Sequence, residues 1–191
     1  MTNNQEKLNE QLVKVVLDTK TCDEVRIKRA KYLIRLGADI NARNDGYSMI
    51  ELAVLQKNAE MVRVLAENGA ELDIKCNSDE MLVEMAVRKR EVEIVRVLAE
   101  NGANLDVRDK SDYPVLQLAI WGSDVEMVRV LVENGADIMA KNRDGNNMID
   151  EANRIKNDAI IGILKNAQNE KNGGNEQSGG FWGKIIGGLT R

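Results

Sequence analysis

One eleven-residue stretch recurs through this chain, and its spacing constrains the fold more than any other feature. The stretch E-M-V-R-V-L-A-E-N-G-A occupies residues 60–70 and returns, with a single change each time, at 93–103 and 126–136. Successive copies are therefore 33 residues apart. A fixed period of this length is typical of repeat architectures, in which each unit buries its apolar face against its neighbours. We therefore expect a stack of similar units.

Each copy of the stretch has the pattern of a helix followed by a stop. Met61, Val62, Val64 and Leu65 form an apolar stripe at helical spacing. The Asn-Gly pair that closes each copy predicts a helix C-terminus, because Gly69 reaches the left-handed conformation without a side-chain clash. The glutamates and arginines that recur between the apolar positions are predicted to form a solvated outer face.

Composition argues against catalysis. The chain contains no His, which removes the commonest general acid–base group and the usual zinc ligand. Its net charge of -4 gives no reason to expect specific nucleic-acid binding. Adjacent carboxylates such as Asp79-Glu80 and Asp150-Glu151 are interpreted as exposed turn and helix-start residues. We expect a protein that is not an enzyme and that has no cofactor, no metal and no small-molecule substrate.

Cysteine usage and hydropathy bear on the compartment. Cys22 and Cys76 lie 54 residues apart and form neither a metal-binding nor a disulfide pattern, which suits a reducing cytosol. Cys76 falls in a turn, where we expect an exposed thiol, although no neighbour in sequence would lower its pKa. The N-terminus is polar, and no apolar run approaches the roughly 20 residues that span a bilayer. A cytoplasmic protein is expected, or one exported without a signal peptide.

The apolar spacing predicts two helices for each unit. Residues 4–20 and 24–36 form a divergent first pair, whose polar first helix would act as an N-terminal cap. Ser48 is predicted to cap the helix that follows the turn at 44–46. Small residues recur every 33 positions and let the paired helices approach closely, namely Ala53, Ala86, Ala119 and Ala152. The first helices of the later units are predicted over 47–55, 81–89, 113–121 and 147–155, with a last helix over 159–165.

The pattern D-G-x-S-x-I-x-x-A, a second helix and G-A-D-I-N-A together resemble the ankyrin repeat. The resemblance covers about residues 3–165 and implies an all-α solenoid of about five helix-turn-helix units joined by β-turn loops. The family's T-P-L-H motif is nowhere intact, and Asp79 stands where the third unit should have its turn glycine. In the second unit the matching positions are Asp45, Gly46, Ser48, Ile50, Ala53, Gly69 and Ala70.

We divide the chain at residue 168. Residues 1–168 form the ankyrin-repeat domain, with units at about 1–42, 43–75, 76–108, 109–141 and 142–168. Residues 169–191 are polar and Gly-rich and end in an apolar motif, so we expect a flexible tail. Three interpretations of the motif stay open: a peptide for a partner or a membrane surface, a segment that folds back on the last unit, and an export signal. The motif consists of Phe181, Trp182, Ile185, Ile186 and Leu189.

The resemblance implies that a protein partner docks on the concave side, which turn tips and the outer residues of the first helices form. Aromatic and Arg residues are the usual anchors of protein interfaces, and several fall on this side. Arg43, Lys75, Arg108 and Lys141 lie on the turn strands and would make it basic, so an acidic partner is one inference. The predicted protein-binding residues are Tyr47, Leu55, Gln56, Glu80, Arg88, Lys89, Tyr113, Trp121, Arg143, Asn146 and Arg154.

The expected function is non-catalytic protein–protein interaction. The Asn-, Lys- and Ile-rich composition looks bacterial, and ankyrin proteins of intracellular bacteria are often delivered into host cells. A secreted effector that acts on host proteins is therefore one specialisation. The alternative is an intrabacterial scaffold, inhibitor or immunity protein for an enzyme or a toxin.

Overall fold

The computed structural model describes residues 3–172. Most of these residues lie in helices that pack in pairs. The only sheet among these residues is a β-hairpin formed by two strands, β1 and β2, of two residues each. The elements in order are α1 (Asn3–Leu17), α2 (Asp23–Arg35), β1 (Arg43–Asn44), β2 (Tyr47–Ser48), α3 (Met49–Leu55), α4 (Ala59–Glu67), α5 (Leu82–Arg88), α6 (Val92–Glu100), α7 (Val115–Trp121), α8 (Val125–Glu133), α9 (Met148–Ile155) and α10 (Asp158–Asn172).

The helices form two layers, one from the first helix of each unit and one from the second. The second helices pack in sequence, α2 on α4, α4 on α6, α6 on α8 and α8 on α10. In the first layer α1 packs on α3, α5 on α7 and α7 on α9. The four alanines predicted at the close approach are buried, as are Ile50, Leu65, Leu98 and Leu131. One continuous core therefore runs through all units, and the predicted repeat solenoid is confirmed.

Glycine ends each repeated second helix as the sequence predicts. Gly69 has φ +91°, and its equivalents at 102 and 135 have φ +87° and +97°. The backbone N–H of Ala70 donates to the Leu65 carbonyl over 3.0 Å, which satisfies one of the last helical acceptors. The Asn68 amide donates to the Val64 carbonyl over 2.7 Å. The repeated Asn-Gly pair thus encodes a repeated helix end.

The turn tips use aspartate where glycine is missing. In the second unit Asp45 and Gly46 both have positive φ and close the β1–β2 hairpin, in which Arg43 pairs with Ser48. In the third and fourth units Asp79 and Asp112 have φ +63° and +64° at the tip. Aspartate tolerates the left-handed region better than most residues, so these turns form without glycine.

Buried acidic and amide side chains occupy the position of the family's missing His. Glu51 and Glu84 are buried, and so is Gln117. Glu51 Oε1 accepts the backbone N–H of Asn77 in the next unit over 2.7 Å. Glu84 accepts from Arg88 Nε over 2.9 Å. A hydrogen bond between neighbouring units therefore persists at Glu51 although the histidine is absent.

The ends of several elements differ from the prediction. The first helices begin one or two residues late, because residues such as Tyr47 belong to the hairpin. Ser48 caps α3 as predicted, since its hydroxyl oxygen accepts the Glu51 N–H over 3.2 Å. Pro114 precedes the first turn of α7, where its missing N–H costs nothing. The last helix, α10, ends at Asn172 rather than near residue 165, so it extends past the boundary that we placed at 168.

The repeated glutamates and arginines join neighbouring units across the outer face. Arg63 of α4 lies 2.8 Å from Glu93 and 3.3 Å from Glu100, both in α6. Arg96 of α6 lies 2.9 Å from Glu126 in α8. Each such half-exposed pair contributes about 0–1 kcal/mol. The outer face is therefore a ladder of ion pairs with a constant direction along the stack.

The expectation of an exposed thiol at Cys76 is wrong. The Cys76 side chain is 5% exposed. Burial, together with the nearby carboxylates of Glu51 and Glu80, raises the pKa of this thiol to about 12. Cys22, which precedes α2, is exposed. The thiol that solvent reaches is therefore Cys22.

Thiol labelling tests this assignment. A thiol-reactive dye should react with the native protein at Cys22 alone, because Cys76 is buried. In urea both thiols should react. The variant Cys22→Ser should then show almost no native labelling, whereas rapid labelling of that variant would contradict the burial of Cys76.

Substitution at a helix end tests the role of glycine. Gly102→Val should lower the free energy of unfolding by about 1–2 kcal/mol, because a residue with a Cβ is strained in the left-handed region. No atom lies within 4 Å of the position where a Cβ would stand, so backbone strain rather than a clash is the cause. Urea denaturation of the full chain measures the effect.

The matched control is Gly162→Ala. Gly162 lies inside α10, has no positive φ and has open space around its Cβ position. Alanine there should leave stability unchanged or raise it by up to about 1 kcal/mol. Equal destabilisation by both substitutions would sink the explanation from backbone conformation.

Candidate protein-binding face

Most of the predicted binding residues lie on one side of the stack, which we call the inner face. It consists of the turn tips and the exposed sides of α3, α5, α7 and α9. Tyr47, Leu55, Glu80 and Lys89 line one open pocket where the second and third units meet. The structure therefore brings these four together, although they come from separate parts of the sequence.

Arg88 is held by carboxylates of its own chain. Its Nε lies 2.9 Å from Glu84 Oε1, and its Nη2 lies 3.0 Å from Asp109 Oδ2. Glu80 is a third, more distant partner at 3.8 Å. The hydrogen bond to Glu84 raises the pKa of the guanidinium above its ordinary value. Arg88 is thus fixed in place, with its charge largely balanced before any partner arrives.

An aromatic pair lies farther along the inner face. The rings of Tyr113 and Trp121 have centroids 4.6 Å apart and planes at 64°, an edge-to-face arrangement. The guanidinium carbon of Arg143 lies 4.6 Å from the centroid of the Tyr113 ring, at cation–π distance. Tyr113 is 8% exposed and Trp121 is 40% exposed. Tyr113 is therefore the support of the pair, and Trp121 is its accessible member.

Glu151 accepts the hydrogen bonds that hold this region together, a role that was not predicted from the sequence. Its side chain is 2% exposed, so the description of Asp150-Glu151 as an exposed carboxylate pair is wrong for Glu151. Its Oε2 accepts from Trp121 Nε1 over 3.2 Å and from Arg154 Nη2 over 2.9 Å. Its Oε1 accepts from the amides of Asn142 and Asn146, each over 3.1 Å. Five donors, two of them from Arg154, thus converge on one buried carboxylate.

The pKa of Glu151 reflects two opposed effects. Burial alone raises the pKa of the carboxyl group, because it disfavours the charged form. Hydrogen bonds from Arg154, Asn146 and Trp121 favour the charged form and outweigh burial, so the pKa lies below its ordinary value. Glu151 is consequently an anion at neutral pH and holds the Trp121 indole in a fixed direction.

One signal in the sequence could have identified Glu151. Its position corresponds, at the repeat spacing, to Leu52, Met85 and Leu118 in the earlier units. A glutamate in an otherwise apolar register is either exposed by a local change or supplied with polar partners. Asn142 and Asn146, which belong to the same unit, are among those partners. The sequence shows that Glu151 departs from the repeat, but it does not show that Glu151 contacts Trp121.

Not every predicted residue points into the inner face. Gln56 accepts a hydrogen bond from Arg26 Nη2 over 3.1 Å and lines a separate pocket beside the α1–α2 loop.

The cations of the turn strands already make contacts within the chain. Arg43 donates to the Gly46 carbonyl over 2.8 Å, and Arg108 donates to the Lys141 carbonyl over 2.8 Å. Lys75 pairs with the Asp79 carboxylate and helps to hold its pKa below the ordinary value.

Within residues 3–172 no group of three or more Cys, Asp or Glu side chains is arranged to hold a metal ion. In the same range no helix is long and apolar enough to cross a membrane. The tail motif, with Phe181, Trp182, Ile185, Ile186 and Leu189, lies outside the described residues.

Helix pairs stacked at a 33-residue period, with turn tips along one side, define a helical repeat solenoid. Residues 74–142 match the family model of ankyrin repeats (3 copies). No curated protein matches the chain. Residues 74–142 are therefore ankyrin repeats, and such repeats generally mediate protein–protein interaction and are typically non-catalytic.

The charge state of Glu151 gives a testable dependence on pH. Glu151→Gln should lower the free energy of unfolding by about 1–3 kcal/mol at neutral pH, because charge-assisted hydrogen bonds are lost. A carboxyl group with a lowered native pKa stabilises the fold above its unfolded pKa of about 4.3. That contribution disappears as pH falls through the native pKa. The difference between the two proteins should therefore shrink below about pH 4.3.

Urea denaturation of both proteins between neutral and acid pH measures this difference. Glu170→Gln, at an exposed position in α10, is the matched control and should change stability little at any pH. A Glu151→Gln difference that stays constant down to about pH 3, well below the ordinary value for glutamate, would contradict the role of the charge.

Proposed function

We propose that the protein binds a segment of another protein on its inner face, with Trp121 as the central anchor. The observation that carries this proposal is the way Trp121 is held. Its indole N–H is fixed by Glu151, its ring packs on Tyr113, and 40% of the side chain still faces solvent. A large aromatic side chain that is accessible and already oriented loses little conformational entropy on binding.

Cations near Trp121 and along the same face extend the proposed site. Arg143 covers the Tyr113 ring, and Arg154 remains exposed while it pairs with Glu151. Lys89 and Lys141 are exposed and have no carboxylate within ion-pair distance among residues 3–172. These charges favour a partner segment that places an apolar side chain against Trp121 and acidic groups on either side. The acidic partner inferred from the turn strands remains part of this proposal.

The proposal assigns no catalytic step to the protein. The repeat domain, with α10 intact to Asn172, would carry the interaction, and residues 173–191 would be a separate element. Two settings follow from the sequence: a bacterial effector that acts on host proteins, and a scaffold, inhibitor or immunity protein inside the bacterium. They differ in the cell that contains the partner, which an experiment can decide.

Affinity capture with matched variants tests the proposed face. Trp121→Ala in the full chain should lose the partner and keep its helical circular dichroism signal, with a lowered melting temperature because one hydrogen bond to Glu151 is lost. Leu17→Ala removes a similarly exposed apolar side chain from α1 and should retain the partner. Tyr113→Ala is a poor probe of binding, because Tyr113 is buried and its loss disturbs packing. Retention of the partner by Trp121→Ala would refute the inner-face assignment.

A bait that ends at Asn172 separates the repeats from the tail, because it keeps α10 whole. Loss of the partner on this truncation alone would assign binding to the tail and not to the inner face. Bacterial and host-cell lysates are probed in parallel, and the lysate that yields the Trp121-dependent partner distinguishes the two settings.

A further inference from the structure

The second helix of the first unit, α2, carries a surface unlike that of the other second helices. Gly37-Ala38 after α2 corresponds to Gly69-Ala70 after α4, so residues of the two helices align at an offset of 32. At this offset Lys28 and Arg35 fall where α4 has Glu60 and Glu67. At the same two positions α6 and α8 have glutamate, namely Glu93, Glu100, Glu126 and Glu133, and α10 has the uncharged Ala159 and Asn166. The charge is therefore reversed in α2 alone.

The direction of the ion-pair ladder shows which way these positions face. Glu93 and Glu100 of α6 reach back to Arg63 of α4, and Glu126 of α8 reaches back to Arg96 of α6. The glutamate side of each second helix thus faces the preceding unit. In α2 the same side faces the N-terminal end of the stack, where no described helix covers it.

Exposed apolar side chains lie beside the reversed charges. Tyr32 aligns with Val64, which is 1% exposed, whereas Tyr32 itself is 62% exposed. Val25 and Leu36 are also exposed and lie on the same side, because the spacings of seven and eleven residues return to one face of a helix. We call this surface the α2 end face, which consists of Val25, Tyr32, Leu36, Lys28, Arg29 and Arg35.

The cations of the α2 end face are available for a partner. Arg29 and Arg35 have no carboxylate within ion-pair distance among residues 3–172. Lys28 pairs with Glu24 at 2.7 Å, but both side chains are largely exposed, so this contact is weak. A terminal unit that only had to meet water would place polar residues at the apolar positions. The stripe of Val25, Tyr32 and Leu36 is not such a surface.

We infer that the α2 end face binds an amphipathic helix with acidic flanks, supplied by a partner protein. The helix would pack where a preceding second helix packs in the later units, with apolar residues against Tyr32. Its glutamates or aspartates would meet Lys28, Arg29 and Arg35. A second copy of this chain fits less well, since the last helix of its stack, α10, has Gly162 and the exposed Lys165 where α8 has Arg129 and Val132, and Lys165 would repel Lys28 and Arg35. This inference is independent of the proposed inner-face function.

Two designed peptides serve as probes. Each is about 20 residues long and alanine-rich, so that it is largely helical in water. Both carry leucines at positions spaced four and three apart. One has glutamate on both flanks of the leucine stripe, and the other has lysine there. Binding to the full-length protein is followed by amide chemical shifts, which report which residues are contacted.

The acid-flanked peptide should shift resonances of α2, and its binding should weaken with added salt. The double variant Lys28→Glu/Arg35→Glu restores the glutamate pattern of α4, so it should remain folded. It should bind the acid-flanked peptide at least about tenfold more weakly and should now prefer the lysine-flanked peptide. Lys156→Glu/Lys165→Glu makes the same change of net charge in the last unit and should leave peptide binding unchanged.

Other outcomes would overturn the inference. Equal binding of both peptides to the native protein would show that charge plays no part. Binding to vesicles of anionic phospholipid through α2, without peptide binding, would identify a membrane surface as the occupant. Concentration-dependent dimerisation that Tyr32→Ser abolishes would identify a second copy. Absence of any shift on α2 with excess acid-flanked peptide would rule out the acidic helix.

Discussion

The structure depends on the burial of each unit's apolar face against the next unit. A single helix pair of about 33 residues is too small to bury a core by itself. Stacking converts these small faces into one core, and small residues such as Ala53 and Ala86 let the layers come close enough to exclude water. The glycines that end the second helices, the turn tips and the ion pairs of the outer face all fix the angle and spacing at which neighbouring units meet. The proposed binding surfaces are consequences of that stacking.

The aromatic region shows how stacking creates a site that no single unit contains. Trp121 belongs to the fourth unit, and Glu151, which orients it, belongs to the fifth. Arg143 of the fifth unit lies over Tyr113 of the fourth. Every one of these contacts crosses the junction between two units, so local opening of the last unit would release the indole. Stability of the C-terminal unit and readiness of the inner face are therefore linked.

Features that recur at the 33-residue period can be predicted from the sequence, whereas features that depend on contacts between units cannot. Helix pairs, the Gly69 stop and the Ser48 cap follow from local patterns, and the structure confirms them. Tyr113 and Trp121 could be placed on one side by analogy with the family, but their unequal exposure depends on Glu151, 30 residues away from Trp121. Cys76 was misjudged because the turn was treated as uniformly exposed. Burial alternates there, with Cys76 inward and its neighbours outward, as in an extended strand.

The outer ladder also has a consequence for how the gene can change. Arg63 meets Glu93 and Glu100, and deletion of residues 76–108 would present it with Glu126 and Glu133, which are the same residue types at the same spacing. Removal or duplication of an internal unit would therefore leave the ion pairs of the outer ladder in place. The first unit lacks this freedom, because its reversed charges suit no internal neighbour. The internal units are therefore interchangeable at the outer ladder, and the first unit is not.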